Sequence, residues 1–113
     1  MGALEPGIVV LVRFPFSDLS SSKVRPAVVL AHAGGPDWVL CQITSSPYGD
    51  PTAVALTDES FQRGGLHRDS VARPAKLFTA SQTLVARAVG SLEGSAFESL
   101  ITAVVGILRS GLS

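Results

Sequence analysis

The amino-acid sequence predicts a mainly β protein: a small, strongly bent antiparallel sheet or barrel with one amphipathic helix packed on it. Two observations carry this prediction. Five or more short runs of β-branched and aliphatic residues are separated by turn residues, and one closing segment has helical periodicity. The length of 113 residues suffices for one hydrophobic core and not for two, so we expect a single domain over residues 1–113.

The composition limits the classes of function. Nine basic and nine acidic residues give a net charge of zero, so a nucleic-acid site would have to be a local patch. The hydrophobic fraction of 46% is high for so small a protein and favours an oligomer interface. No apolar run reaches the ~18–20 residues of a membrane span, and Glu5 stands where a signal peptide would be basic. We therefore expect a cytoplasmic protein with no membrane segment.

The first half of the chain predicts three strands. Residues 8–14 form the first strand, and a second runs from residue 24 or 25 to 31. A third, over residues 38–44, follows a Gly-Gly-Pro-Asp turn that makes the second and third strands an antiparallel hairpin. The hydroxyl-rich segments between the first and second strands and after the third predict loops.

The second half predicts shorter strands. Residues 52–56 and 70–79 form two of them, with Pro74 confining part of the second to a sheet edge or a bulge. The polar segment 57–68 predicts a loop or a loosely paired edge, residues 80–84 a single turn, and residues 84–92 a last short strand.

The closing segment predicts a helix of about 14 residues. Ser95 and Glu98 have the spacing of a capping box at its start, and Gly111 stops it. The apolar residues that share one face at helical spacing are Phe97, Leu100, Ile101, Val104, Val105 and Leu108.

Arg25 is the residue that most needs an explanation. It stands between a serine-rich loop and an uncharged core strand, and Pro26 pushes it toward extended geometry. An arginine at the edge of a core usually has an anionic partner, because its charge is costly to desolvate. The partner is either an internal carboxylate or the phosphate of a substrate.

Four pieces of the sequence follow one another in a recognisable order. The first joins residues 7–18 to residues 23–30, and the others cover residues 41–45, 69–79 and 89–92, reading GIVVLVRFPFSD, KVRPAVVL, CQITS, DSVARPAKLFT and VGSL. With the final amphipathic helix, these pieces resemble the MazF/PemK family over nearly the whole chain.

The resemblance implies a CcdB-like or SH3-like barrel and a toxin of a bacterial toxin–antitoxin pair. It implies a homodimer that cleaves single-stranded mRNA or rRNA at a short sequence without metal, leaving a 2′,3′-cyclic phosphate and a 5′-hydroxyl. It also implies a cognate antitoxin that blocks the dimer groove. Arg25 matches the catalytic arginine of the family, and Thr44 matches its catalytic threonine. Without the family match, Thr44 would be an ordinary strand-end hydroxyl capping a turn.

Further residues are candidates for RNA contact by their charge, hydroxyl, amide or aromatic ring. The predicted set is Phe14, Ser17, Lys23, Gln42, Ser45, Arg68 and Arg73. Two residues after Arg73 the chain has Ala75, where the resemblance implies, for some relatives, an aspartate that helps catalysis. Two interpretations of Arg73 therefore remain open: a phosphate contact, or a surface ion pair with Asp69 or Glu59.

The other polar groups give weaker signals. His32 lies beyond the far end of the second strand, and His67 is either a groove residue or a solvated loop histidine. Cys41 has apolar neighbours, which predicts a buried thiol. Two histidines and one cysteine without ligand-like spacing predict no metal site and no cofactor. Two other functions remain open: a CcdB-like protein that poisons gyrase through the end of its helix, and a catalytically silent barrel that regulates by binding protein.

Overall fold

A computed structural model describes residues 3–14, 23–46 and 49–112, with the backbone alone at Phe14. Within these residues seven strands form one sheet, two 3₁₀ turns at Asp58–Ser60 and Gln82–Leu84 interrupt the chain, and a C-terminal helix closes it. The elements are β1 Ile8–Phe14, β2 Lys23–Gly34, β3 Asp37–Thr44, β4 Val54–Leu56, β5 Phe61–Gly64, β6 Ser70–Ser81, β7 Val85–Leu92 and α1 Gly94–Ser110.

The sheet is antiparallel and curls into a half-barrel, which confirms the predicted fold class. Its strand order is β4-β6-β3-β2-β1-β7-β5. The two edge strands, β4 and β5, are separated in sequence by residues 57–60 alone, so the chain can span only ~18 Å between them. The edges of the sheet must therefore approach one another, which curls the sheet.

Alternation of side chains along the strands places apolar residues on both faces of the sheet. One face forms the main core with the helix, through side chains such as Val28, Cys41 and Leu100. The opposite face forms a second cluster around Val10, Val29 and Leu40. Both faces of the central strands are thus covered, as uncharged runs such as residues 26–31 require.

The structure extends or shortens several predicted strands. The β2–β3 hairpin is confirmed, and it continues to a tight turn in which Gly34 (φ 106°) and Gly35 (φ 55°) adopt positive φ. The predicted strand 52–56 begins later, at Val54, because Thr52 donates from its backbone N–H and its hydroxyl to the Asp50 carboxylate (2.9 and 2.7 Å) and forms a turn.

The predicted interruption at Pro74 is a bulge. In the β3–β6 register Cys41 pairs with Leu77 and Ile43 pairs with Ala72. The paired positions are two residues apart on β3 and five residues apart on β6. Residues 73–76 are therefore displaced from the ladder. The ring of Pro74 itself is fully buried, and the bulge is consequently part of the packed structure.

The predicted capping box is wrong. The helix has 17 residues and begins at Gly94, with Glu93 as its N-cap and no side-chain cap. The Phe97 N–H donates to the Glu93 carbonyl at 3.0 Å, so the first helical turn starts two residues earlier than a cap at Ser95 would place it. Leu100 and Val104 are buried against the sheet, whereas Val105 and Leu108 of the predicted apolar face are 45% and 64% exposed. No helix in the described part of the chain is long and apolar enough to cross a membrane.

Candidate functional site

A pocket of about 310 Å³ opens where β2 begins and β3 ends. The two strand ends lie together because the strands form an antiparallel hairpin. The chain segment that enters β6 reaches the same place, since β6 pairs with β3 through Val71 and Thr44. Three segments line the pocket: Val24, Arg25 and Pro26 from β2; Ile43, Thr44 and Ser45 from β3 and its end; and Leu66, His67, Arg68 and Ser70 before and at the start of β6.

The structure thus brings together four residues predicted from the sequence. Arg25, Thr44, Ser45 and Arg68 line this pocket, although they come from three distant parts of the chain. Arg25 and Thr44 also lie on the same face of the sheet. Ala27 of β2 pairs with Gln42 of β3, and the side chains of a pair point to the same face. Arg25 and Thr44 each lie two residues from one member of this pair along the same strand, and side chains two residues apart share a face.

Arg25 is exposed and makes no ion pair with any residue that the structure describes. An internal carboxylate, one of the two partners considered from the sequence, is therefore not found in the described chain. The pocket carries two guanidinium groups, from Arg25 and Arg68, and no carboxylate among its described lining residues. This arrangement favours an anionic ligand, since a guanidinium fork matches the oxygens of a phosphate.

The hydroxyl of Thr44 is engaged in a local turn. Its Oγ1 accepts from the Ser46 N–H at 3.1 Å and lies 3.3 Å from the Ser46 carbonyl, to which it can donate. This is the strand-end turn that residue type alone predicts. The same contacts hold the hydroxyl at the rim of the pocket, beside Ser45.

The segment before β6 is held at three points. The Gly65 N–H donates to the Val89 carbonyl at 3.2 Å, Leu66 packs against the main core, and the buried hydroxyl of Ser70 donates to the Arg68 carbonyl at 3.0 Å. These contacts leave the side chains of His67 and Arg68 exposed at the pocket. From the sequence, His67 is either a groove residue or a solvated loop histidine. In the structure it lines the pocket, because the long-range pairing of β3 with β6 brings its segment there.

Arg73 lies outside the pocket. Its Nε donates to the Asp50 carboxylate at 2.9 Å, so its acidic partner is neither Asp69 nor Glu59. A hydrogen bond from the Thr52 hydroxyl and then the bond from Arg73 lower the pKa of Asp50 to about 2. The ion pair holds Asp50, in the loop that follows β3, against β6.

The Arg73 backbone also has a partner in the core. Its carbonyl accepts from the Cys41 thiol at 3.1 Å, and burial raises the pKa of that thiol to about 12. The predicted buried thiol is confirmed, and its burial disfavours the thiolate, which is the reactive form.

The remaining predicted contacts lie elsewhere. Lys23 is exposed at the start of β2, one residue before the pocket, and Gln42 is half-buried on β3, on the face of Thr44 but outside the pocket. Ser17 and the side chain of Phe14 lie outside the described residues. In the described part of the chain, no group of three or more metal-binding side chains comes together.

Comparison with known proteins gives one family and a set of similar structures. A family model described as "PemK-like, MazF-like toxin of type II toxin-antitoxin system" matches residues 5–108. No curated protein matches the chain.

The similar structures share the fold at low sequence identity. The Mycobacterium tuberculosis toxin MazF-mt6 is 20% identical, with 90% of this chain and 96% of that chain covered and a TM-score of 0.70. The MazE-MazF structure (Form-II) from Deinococcus radiodurans is 17% identical, with 96% and 97% covered and a TM-score of 0.73. An endoribonuclease from a mycobacterial species in complex with its cognate antitoxin is 15% identical, with 96% and 95% covered and a TM-score of 0.72.

Proposed function

Because the chain belongs to the family of PemK-like, MazF-like toxins of type II toxin–antitoxin systems, we propose that it is an endoribonuclease acting on single-stranded RNA in the cytoplasm. The observation that carries the proposal is the environment of Arg25: an exposed guanidinium, without an ion-pair partner in the described chain, that shares a pocket with Thr44 and Arg68. Mycobacterial relatives of this fold are named endoribonucleases, which supports the same activity here.

The proposed reaction needs no metal. The 2′-oxygen of the RNA attacks the adjacent phosphorus, the bond from phosphorus to the 5′-oxygen breaks, and the products are a 2′,3′-cyclic phosphate and a 5′-hydroxyl. Arg25 holds the non-bridging phosphate oxygens and stabilises the added negative charge of the transition state. It remains protonated throughout, because a guanidinium does not lose its proton under ordinary conditions in proteins.

The other pocket residues position the RNA. Thr44 and Ser45 offer hydroxyl groups to the phosphate or the 2′-hydroxyl, and Arg68 binds a neighbouring phosphate. Selection of a short sequence falls to the surrounding loops and to the predicted contacts Phe14, Ser17, Lys23 and Gln42. Arg73, held by Asp50, supports the loop after β3 and is the weakest of the predicted RNA contacts.

We further propose that residues 1–113 act as one toxin domain, a homodimer that a cognate antitoxin inhibits. The Deinococcus relative is recorded as a MazE-MazF pair, and a mycobacterial one is in complex with its antitoxin. Val105, Leu108 and Leu112 are exposed at helical spacing near the C-terminal end of α1 (45%, 64% and 76%), which supports a protein contact there.

The test is cleavage of a long single-stranded RNA by the purified protein in EDTA, with analysis of the fragment ends. We expect cuts at a short sequence with cyclic phosphate ends, lost in Arg25→Ala and kept in Arg87→Ala, which removes an exposed cation on β7 outside the pocket. A folded protein that does not cut would overturn the nuclease proposal and leave a binding role, such as contact with gyrase through the exposed end of the helix.

A further inference from the structure

The pocket contains cations and hydroxyl groups, yet the proposed reaction also requires a group that accepts a proton. Attack by the 2′-hydroxyl releases a proton as the new bond to phosphorus forms. Arg25 and Arg68 cannot accept it because they are already protonated, and the hydroxyls of Thr44 and Ser45 are extremely weak bases. No carboxylate stands among the described residues that line the pocket.

One described lining residue carries a side chain that can accept that proton, the imidazole of His67. We propose that His67 is the general base of the cleavage reaction, an inference that rests on the proposed ribonuclease function. Neutral imidazole carries a free lone pair on one ring nitrogen, and histidine is the side chain that ordinarily changes charge near neutral pH. His67 lines the same pocket as Arg25 and Thr44, and its ring is exposed there.

The local structure holds His67 in place. Gly65 is bonded to Val89, Leu66 is anchored in the main core, and the Arg68 carbonyl is bonded by the buried Ser70 hydroxyl. The backbone on both sides of His67 is therefore fixed while its side chain is free to face the RNA. A base presented on an anchored segment meets the requirement that catalytic groups be held close to their productive geometry.

The proton balance is complete. The 2′-hydroxyl gives its proton to the neutral ring nitrogen of His67 as the 2′-oxygen bonds to phosphorus and the bond to the 5′-oxygen breaks. The leaving 5′-oxygen takes a proton from water, and the resulting hydroxide takes the proton from the imidazolium. The enzyme returns to its starting state, and no other reactant is consumed.

The experiment compares His67→Ala and His67→Gln with the wild type on one RNA that contains the cleaved sequence. We expect each variant to cut about 10²-fold or more slowly, with unchanged thermal unfolding. Glutamine keeps hydrogen-bonding capacity without accepting a proton, so activity retained in His67→Gln would overturn the proposal. His32→Ala is the matched control, since that ring lies against Trp38 at the far end of the hairpin with Nε2 2.8 Å from the Gly35 carbonyl.

Two chemical probes separate proton transfer from mere positioning. Added imidazole should restore several-fold activity to His67→Ala, because the pocket is open to a small base, and absence of rescue would overturn the assignment. A substrate whose 5′-oxygen is replaced by sulfur needs no acid for its leaving group. We expect His67→Ala to remain as impaired on it, and recovery would make His67 the acid instead of the base.

The outcomes distinguish this inference from the function beneath it. If the wild type and both His67 variants cut RNA equally well, His67 is not the general base and the proposed ribonuclease function still stands. No cutting by the folded wild type overturns both.

Discussion

Arg25 and Arg73 are both arginines followed directly by proline, and both were predicted to bind phosphate, but the fold uses them differently. Arg25 is exposed in a pocket, with no ion pair among the described residues. Arg73 is half-buried on a bulge, and its Nε donates to the Asp50 carboxylate at 2.9 Å. An Arg-Pro pair at a strand therefore does not by itself identify a ligand site. The presence or absence of an internal carboxylate decides whether the charge is available.

Substitution of the two arginines should have very different effects on RNA cleavage. Arg25→Ala should lower kcat/KM for RNA cleavage about 10²–10³-fold, the range for losing one transition-state donor, with the melting temperature unchanged. Arg73→Ala should change kcat/KM less than about tenfold, because its charge is already paired and lies outside the pocket. Steady-state kinetics on one RNA checks both. A loss in Arg73→Ala equal to that in Arg25→Ala would make Arg73 an RNA contact after all.

The next effect concerns the backbone that carries the pocket segment. Gly64 has φ +64°, and a Cβ there would lie 2.1 Å from the Val89 carbonyl oxygen on the neighbouring strand. Gly64→Ala should therefore destabilise the protein by about 3 kcal/mol, a large single-residue effect, measured by urea unfolding.

Gly65→Ala is the control for that substitution. No atom lies within 4 Å of a Cβ built on Gly65, so its free energy of unfolding should stay within about 0.5 kcal/mol of the wild type. Equal stability of the two variants would contradict this prediction, because it would mean that β5 and β7 can move apart at Gly64 with little loss of stability.

A smaller effect tests the fastening role of Arg73. Arg73→Ala and Asp50→Asn should each lower the melting temperature by about 5 °C, because each removes one partner of a sheltered ion pair. The double variant should lose little more than Asp50→Asn alone, since both substitutions remove the Arg73–Asp50 ion pair and only Asp50→Asn also weakens the hydrogen bonds from Thr52. Fully additive losses in calorimetry would contradict a direct coupling between the two side chains.

The smallest effect is a dependence on acid. The folded-state pKa of Asp50, about 2, lies below its ordinary value of 3.8, so its contribution to stability is present above about pH 4 and is lost as the pH falls toward 2. The melting temperature of the wild type should exceed that of Asp50→Asn above pH 4, and the two should converge near pH 2. A gap that is constant over this range would assign the stabilisation to another group.

Several features could be predicted from residues close together in the chain. The bounds of β1, the β2–β3 hairpin and the existence of the terminal helix follow from periodicity and turn residues, which act over a few residues. The bulge at Pro74 follows from the proline's missing N–H. The start of the helix was misplaced, because Ser95 has the residue type of a cap but the first helical bond forms from Glu93. Residue type marks such a boundary only within a few positions.

The mainly β class, the apolar strands and the chemical character of Arg25 follow from the amino-acid sequence alone, because these depend on local propensity and on side-chain chemistry. The long-range folding of the chain sets the rest: Arg25 has no ion pair among the residues that the structure describes, whereas Asp50 holds Arg73, and His67 shares a pocket with Thr44. Those outcomes depend on the pairing of β6 with β3, between segments about 30 residues apart. Such a pairing is set by the packing of the whole sheet and leaves no signal in the neighbouring residues.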